Sequence, residues 1–234
     1  MKIKLAALAA MLAASPVFAD TTNGPDSYAY GFETPTEASW GGWNRGDANT
    51  IYAEWDTFVD ITWPGDRTAA PDVGASGTSD ANIAWNSGVF PASTGNLYSF
   101  SVDEYFDINM TGTVPTGPVR VVLQTEAWGM DPTSVLLNDL APTFSSTTFT
   151  GTVMTGAIGE VDLFQNVYYW DLASAPSNYY FAIDAPVHTS FAQVAVDIAA
   201  APVPEPETYA MLAAGLGLVG WQVRRRNKAA KLAA

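Results

Sequence analysis

Apolar and aromatic residues recur at every second position along most of this chain, and a sustained 3.6-residue period is missing between its two ends. Alternation of that kind belongs to half-buried strands, whose successive side chains point to opposite faces, and it argues against a helical domain. Tyr28, Tyr30 and Phe32 alternate, as do Ile51, Ala53 and Trp55, then Val59, Ile61 and Trp63 up to the turn at Pro64-Gly65-Asp66. The stretch Thr68 to Asp80, rich in Ala, Pro, Gly, Asp and Ser, reads as a long surface loop. Strands are expected again from Ala81 to Trp85, Leu97 to Val102 and Tyr105 to Met110. Val119, Val121 and Leu123 alternate with Arg120, Val122 and Gln124, so both faces of that segment are mostly apolar, the mark of a central strand.

Further short strands are expected over Val135 to Leu140, Phe149 to Thr155, Ile158 to Phe164, Val167 to Leu172 and Tyr179 to Asp184, with Val194, Val196 and Ile198 closing the series. About eleven strands without a repeat of fixed period predict an all-β fold, a jelly-roll-like two-sheet sandwich, with a closed barrel as the alternative.

The ends follow different rules. Lys2 and Lys4 precede an apolar stretch from Leu5 to Leu12, and Val17-Phe18-Ala19 offers small residues to a signal peptidase, so residues 1–19 read as a signal peptide cut before Asp20. Residues 20–200 then form the exported domain. In the linker 201–207, Pro202, Pro204 and Pro206 hold the backbone extended and remove amide donors. The apolar run 208–223 would rise about 24 Å as a helix, a marginal single transmembrane anchor. Arg224, Arg225 and Arg226 open the basic tail 224–234, which the positive-inside rule keeps cytoplasmic.

Val203-Pro204-Glu205-Pro206, the apolar run and the arginine cluster together resemble the PEP-CTERM sorting signal of Gram-negative bacteria. The resemblance covers about the last 30 residues. It implies an exosortase-type membrane protease as partner, a transient hold in the inner membrane, and a destination at the cell surface or in the exopolysaccharide and biofilm matrix. The alternative is a plain C-terminal anchor.

Charge and composition narrow the chemistry of the exported part. It carries three arginines, Arg45, Arg67 and Arg120, against 22 carboxylates, a net charge of −19. Such a field repels nucleic acid and anionic lipid surfaces, and fits neutral polysaccharide, or an acidic one bridged by calcium. Cysteine is absent, which removes disulfides, thiol catalysis and thiolate metal sites. His188 is the single histidine and lies in a loop-like stretch, so zinc sites built on two or three imidazoles are excluded.

Two sets of side chains are candidate sites. Trp40 and Trp43 in Ser39-Trp40-Gly41-Gly42-Trp43, and Trp128 in Ala127-Trp128-Gly129, read as loop tryptophans offering exposed rings to the apolar faces of sugars, whereas Trp55, Trp63 and Trp85 read as core. Gly31-Phe32-Glu33 and Val196-Asp197-Ile198 resemble the paired termini of jelly-roll carbohydrate-binding modules, which implies a structural calcium held by Glu33 and Asp197. No cofactor is otherwise indicated. The expectation is a non-catalytic protein, structural or adhesive in the matrix. The alternative is a carbohydrate-binding module, calcium-dependent or not. A glycoside hydrolase or lyase would draw on Glu54, Glu126 or Glu160, none of which sits in a motif.

Overall fold

The computed structural model describes residues 31–58, 67–113, 116–156, 159–201 and Leu216. The chain divides into two units, Met1–Ala201 and Pro202–Ala234, and the second is described only at Leu216, an exposed helical residue. The expected signal peptide, the strands at Tyr28–Tyr30 and Val59–Trp63, and all but Leu216 of the expected membrane helix lie outside the described residues. Among those described, no helix is long and apolar enough to cross a membrane.

Thirteen strands are described: β1 Ile51–Trp55, β2 Thr68–Ala69, β3 Gly74–Ser76, β4 Asn82–Trp85, β5 Phe90–Pro91, β6 Leu97–Tyr98, β7 Glu104–Met110, β8 Val119–Trp128, β9 Ser134–Leu137, β10 Phe144–Thr155, β11 Gly159–Leu172, β12 Tyr179–Ala185 and β13 Ser190–Ala200. They form two antiparallel sheets, the arrangement of a β-sandwich. The larger sheet runs β10-β11-β8-β13-β1-β3, with β6 also on β13 and β5 on β6; the smaller runs β2-β4-β7-β12-β9. β8 is central, as its two apolar faces require.

Period-two alternation delivers one face of each sheet to a shared core. Ile51, Ala53 and Trp55 of β1, Val121 and Leu123 of β8 and Val194, Val196 and Ile198 of β13 meet Ile83, Phe106, Ile108, Phe181 and Ile183 of the smaller sheet. Across the middle, Phe106 stacks on Phe191 with ring centroids 4.3 Å apart, and Trp170 meets Phe181 edge-on at 5.8 Å. Buried indoles are satisfied where they reach backbone: Trp55 Nε1 donates to the Ala69 carbonyl at 3.0 Å and Trp170 Nε1 to that of Leu140 at 2.9 Å.

Three expectations are corrected. Residues 159–172, read as parts of two strands, are the single strand β11; the polar pair Gln165-Asn166 that interrupts the apolar pattern is partnered, Gln165 donating to Glu126 and Asn166 to Asp131. The strand expected to reach Val102 stops at Tyr98. There Glu104 accepts the Ser99 amide at 2.9 Å and Ser99 Oγ accepts those of Ser101 and Val102, which turns the chain and leaves Phe100 69% exposed. The loop over Thr68–Asp80 contains the short strands β2 and β3, the second hydrogen-bonded to β1.

Candidate functional site

The face of the larger sheet turned away from the core carries the polar chemistry. Since the odd-numbered residues of β1 and β8 and the even-numbered ones of β13 fill the core, the alternate residues form rows on the outer face. One row is Tyr52, Asp197, Val122 and Tyr169; the next is Glu54, Ala195, Gln124 and Val167; a third is Gln193, Glu126 and Gln165. Apolar clusters bound this belt, Trp40 with Ala38 and Val122 in one and Trp128 with Leu163 and Ala192 in the other.

Residues 31–50 cross this face as a strap. The side chain of Gln124 clamps it by accepting the Glu33 amide at 3.1 Å and donating to the Glu33 carbonyl at 2.9 Å. Arg120 donates to the Trp40 carbonyl at 3.0 Å while holding Asp171 through two bonds of 2.7 Å. Farther along, Arg45 donates to both carboxylate oxygens of Asp197 at 3.0 Å and to Glu54 at 3.1 Å, and its guanidinium lies 4.0 Å from the centroid of the Tyr52 ring. Burial pushes the Asp197 carboxyl up and Arg45 pulls it back; burial lowers the guanidinium pKa, and the two carboxylates more than reverse this.

Glu33 and Asp197, the pair expected to hold calcium, both have protein partners. Asp197 is 1% exposed and already has its counter-charge, supplied by the strap as Arg45, while Glu33 is bound through its backbone to Gln124. Among the described residues, no group of three or more His, Asp or Glu side chains is placed to hold a metal ion.

The tryptophans also sit differently from the sequence reading. Trp128 is the last residue of β8 rather than a loop residue, and it is 7% exposed over Leu163. Trp40 is 5% exposed, because the strap lays its ring on Val122; Trp43 is half-buried against it, with ring centroids 5.8 Å apart. An alternation-free stretch rich in glycine looked exposed, and packing on the sheet buried the Trp40 ring while Ser39 and Gly42 stay exposed. His188 is an exposed loop residue with a φ of 74°, its Nδ1 2.9 Å from the Tyr98 hydroxyl.

Between the strap and β10 lies a cleft of about 580 Å³. Its walls include Trp40, Phe144 and Phe149, and its polar lining includes Gln124, Ser146, Thr148, Thr150, Gln165 and Asn166. Glu33 is the one charged residue in its described lining. The buried indole N–H of Trp40 has no hydrogen-bond partner among the described residues. Phe144 and Phe149 remain 43% and 57% exposed, and Phe144 is backed by Tyr169, stacked at 4.9 Å.

Glu126 stands behind this lining, fully buried and accepting a hydrogen bond from Gln165. Burial, with the neighbouring Glu54 adding to it, pushes its carboxyl well above the carboxylate range. None of Glu54, Glu126 and Glu160 is in the described lining of this cleft: Glu54 is bound to Arg45, and Glu160 accepts from Thr152 Oγ1 on the β10–β11 hairpin. Phe144, Ser146, Thr148 and Gln165 were not singled out by the sequence. The available signal was β10 itself, a long Ser/Thr-rich strand without a charge, whose residues are mostly exposed.

No curated protein and no solved structure matches this chain. Residues 202–226 match the family model of the PEP-CTERM protein-sorting motif, which makes the tail the sorting signal of an exported protein processed by exosortase.

Proposed function

We propose that this chain is a non-catalytic protein of the extracellular matrix, whose sandwich holds neutral polysaccharide in the cleft between the strap and β10. One observation carries the reading: on a domain of net charge −19, the cleft combines aromatic walls with amides and hydroxyls, and its described lining includes only one charged residue. Pyranose rings offer apolar C–H faces to such walls and hydroxyls to Gln124, Gln165, Ser146 and Thr148. An acidic polymer would meet the repulsion of the whole domain. Signal peptidase removes residues 1–19, and exosortase then releases the inner-membrane hold of the tail into the surface or biofilm setting.

The test is co-sedimentation of the full chain, purified in a non-ionic detergent, with insoluble neutral polysaccharides. Saturable binding is expected, weakened about tenfold or more by Phe144→Ala together with Phe149→Ala, the loss of roughly two ring contacts. Retention is expected to be the same in calcium and in chelator, since Arg45 already neutralises Asp197. Absence of binding to every polysaccharide, or binding indifferent to both phenylalanines, would overturn the reading.

A further inference from the structure

The cleft is bounded by the one long open edge in the molecule's described residues. The ends of the two sheets are β10 and β3, and β2 and β9; three of these are two to four residues long, whereas β10 has twelve. Edge strands are ordinarily shielded by brevity, lysine or proline. β10 reads Phe-Ser-Ser-Thr-Thr-Phe-Thr-Gly-Thr-Val-Met-Thr, without a charge or a proline, and its first six residues are all exposed.

The hydrogen-bond phase shows which amides this edge presents. Gly129 N–H donates to the Asp162 carbonyl directly opposite, so the even-numbered residues of β11 bond β8. The odd-numbered Gln165, Val167 and Tyr169 therefore bond their partners Thr148, Ser146 and Phe144 on β10. By alternation the backbone groups of Ser145, Thr147 and Phe149 face away from the sheet. The register is regular up to Phe149, where a bulge before Gly151 ends it.

We propose that β10 pairs antiparallel with β10 of a second copy of this chain, about a two-fold axis at Ser146. This register places Ser145 opposite Thr147 of the copy, where both outward-facing pairs exchange N–H···O bonds, and keeps the contact ahead of the bulge. The occupant follows from charge. A second exported domain, itself at −19, is repelled wherever acids meet, so it can approach closely only along an uncharged stretch, and the copy's own β10 is such a stretch. Because the axis is perpendicular to the sheet, both clefts open on the same side and meet at the seam, where Ser146 lines each. The pairing itself does not depend on what the cleft holds.

Sedimentation and oxidative cross-linking of the full chain in detergent test it; the apolar tail is common to all variants and cancels in the comparison. The parent chain should dimerise, and Ser145→Pro should weaken dimerisation tenfold or more without lowering the melting temperature, since the lost amide faces away from β11. The chain has no cysteine, so Ser146→Cys should yield a disulfide-linked dimer at least tenfold faster than Ser134→Cys on the short edge β9. A chain that stays monomeric, a folded Ser145→Pro variant that dimerises undiminished, or equal cross-linking at both positions overturns the proposal. Should Ser145→Pro not fold, the cross-linking ratio decides alone.

Discussion

Arg45 joins two carboxylates, Asp197 and Glu54, that are 1% and 0% exposed, and it is itself mostly buried. Replacing it with alanine strands both acids out of water, and Arg45→Ala is expected to cost about 3–5 kcal/mol in equilibrium denaturation. Arg45→Lys should recover part of this, since an ammonium keeps the charge but cannot donate two parallel bonds to Asp197. A second buried acid sets the pH response. Burial pushes Glu104 up to about 9, and its Oε2 has no hydrogen-bond partner among the described residues. Between pH 4.5 and 9 the unfolded chain gives up this proton and the folded chain keeps it, so stability is highest at acid pH and falls as pH rises, by up to about 1.4 kcal/mol per unit. Glu126, shifted in the same direction, adds to the slope. The melting temperature should therefore drop from pH 5 to pH 8, and Glu104→Gln should flatten that decline; a profile rising with pH would contradict the assignment.

At the scale of elements, the strap decides what the outer face can do. Its turn closes tightly: Gly42 N–H donates to the Pro35 carbonyl at 2.6 Å, and a Cβ on Gly41 would meet that same oxygen at 1.9 Å. Gly41→Ala must therefore open the turn that seats Trp40 over Val122. A loss on the order of 2 kcal/mol is expected, with faster proteolysis within residues 34–44 while the sandwich stays protected, as limited digestion would show. Polysaccharide binding should fall with it, because Trp40 forms a wall of the cleft. β10, by contrast, is held from one side alone, so substitutions at its exposed serines should leave stability within about 0.5 kcal/mol.

For the molecule as a whole, charge governs association. Two domains at −19 repel at long range, and the repulsion is screened within about 10 Å at 0.1 M salt. The β10 pairing is made of uncharged groups and is not itself weakened by salt. Dimerisation measured by sedimentation should thus strengthen, on the order of several-fold, as salt rises from low millimolar to about 0.5 M. An association driven by the basic tail against the acidic domain would weaken instead. The sorting motif adds an expectation of mass: protein recovered from the cell surface should lack Arg224, Arg225 and Arg226. Intact tails on surface protein would contradict processing.

Read alone, the sequence determined the all-β class, most of the described longer strands, the central place of β8 and the sorting tail, because each is written locally. Period-two alternation needs only neighbouring residues, and a proline-flanked motif followed by an apolar run and arginines is contiguous. It also fixed which face of each strand is apolar, so Ile51, Ala53, Trp55, Val194, Val196 and Ile198 could be assigned to the core. What it left open depends on pairs far apart in the chain. That Arg45, 152 residues away, lies against both oxygens of Asp197 is set by the fold alone. Trp40 and Trp128 looked exposed because nothing local shows that Val122 or Leu163 lies beneath them. The cleft joins Gln124, Ser146 and Gln165 from three strands with a strap from the start of the domain, and the open edge of β10 exists only because no other described strand lies beside it. Local periodicity sets the direction in which a side chain points, and tertiary packing decides what waits there.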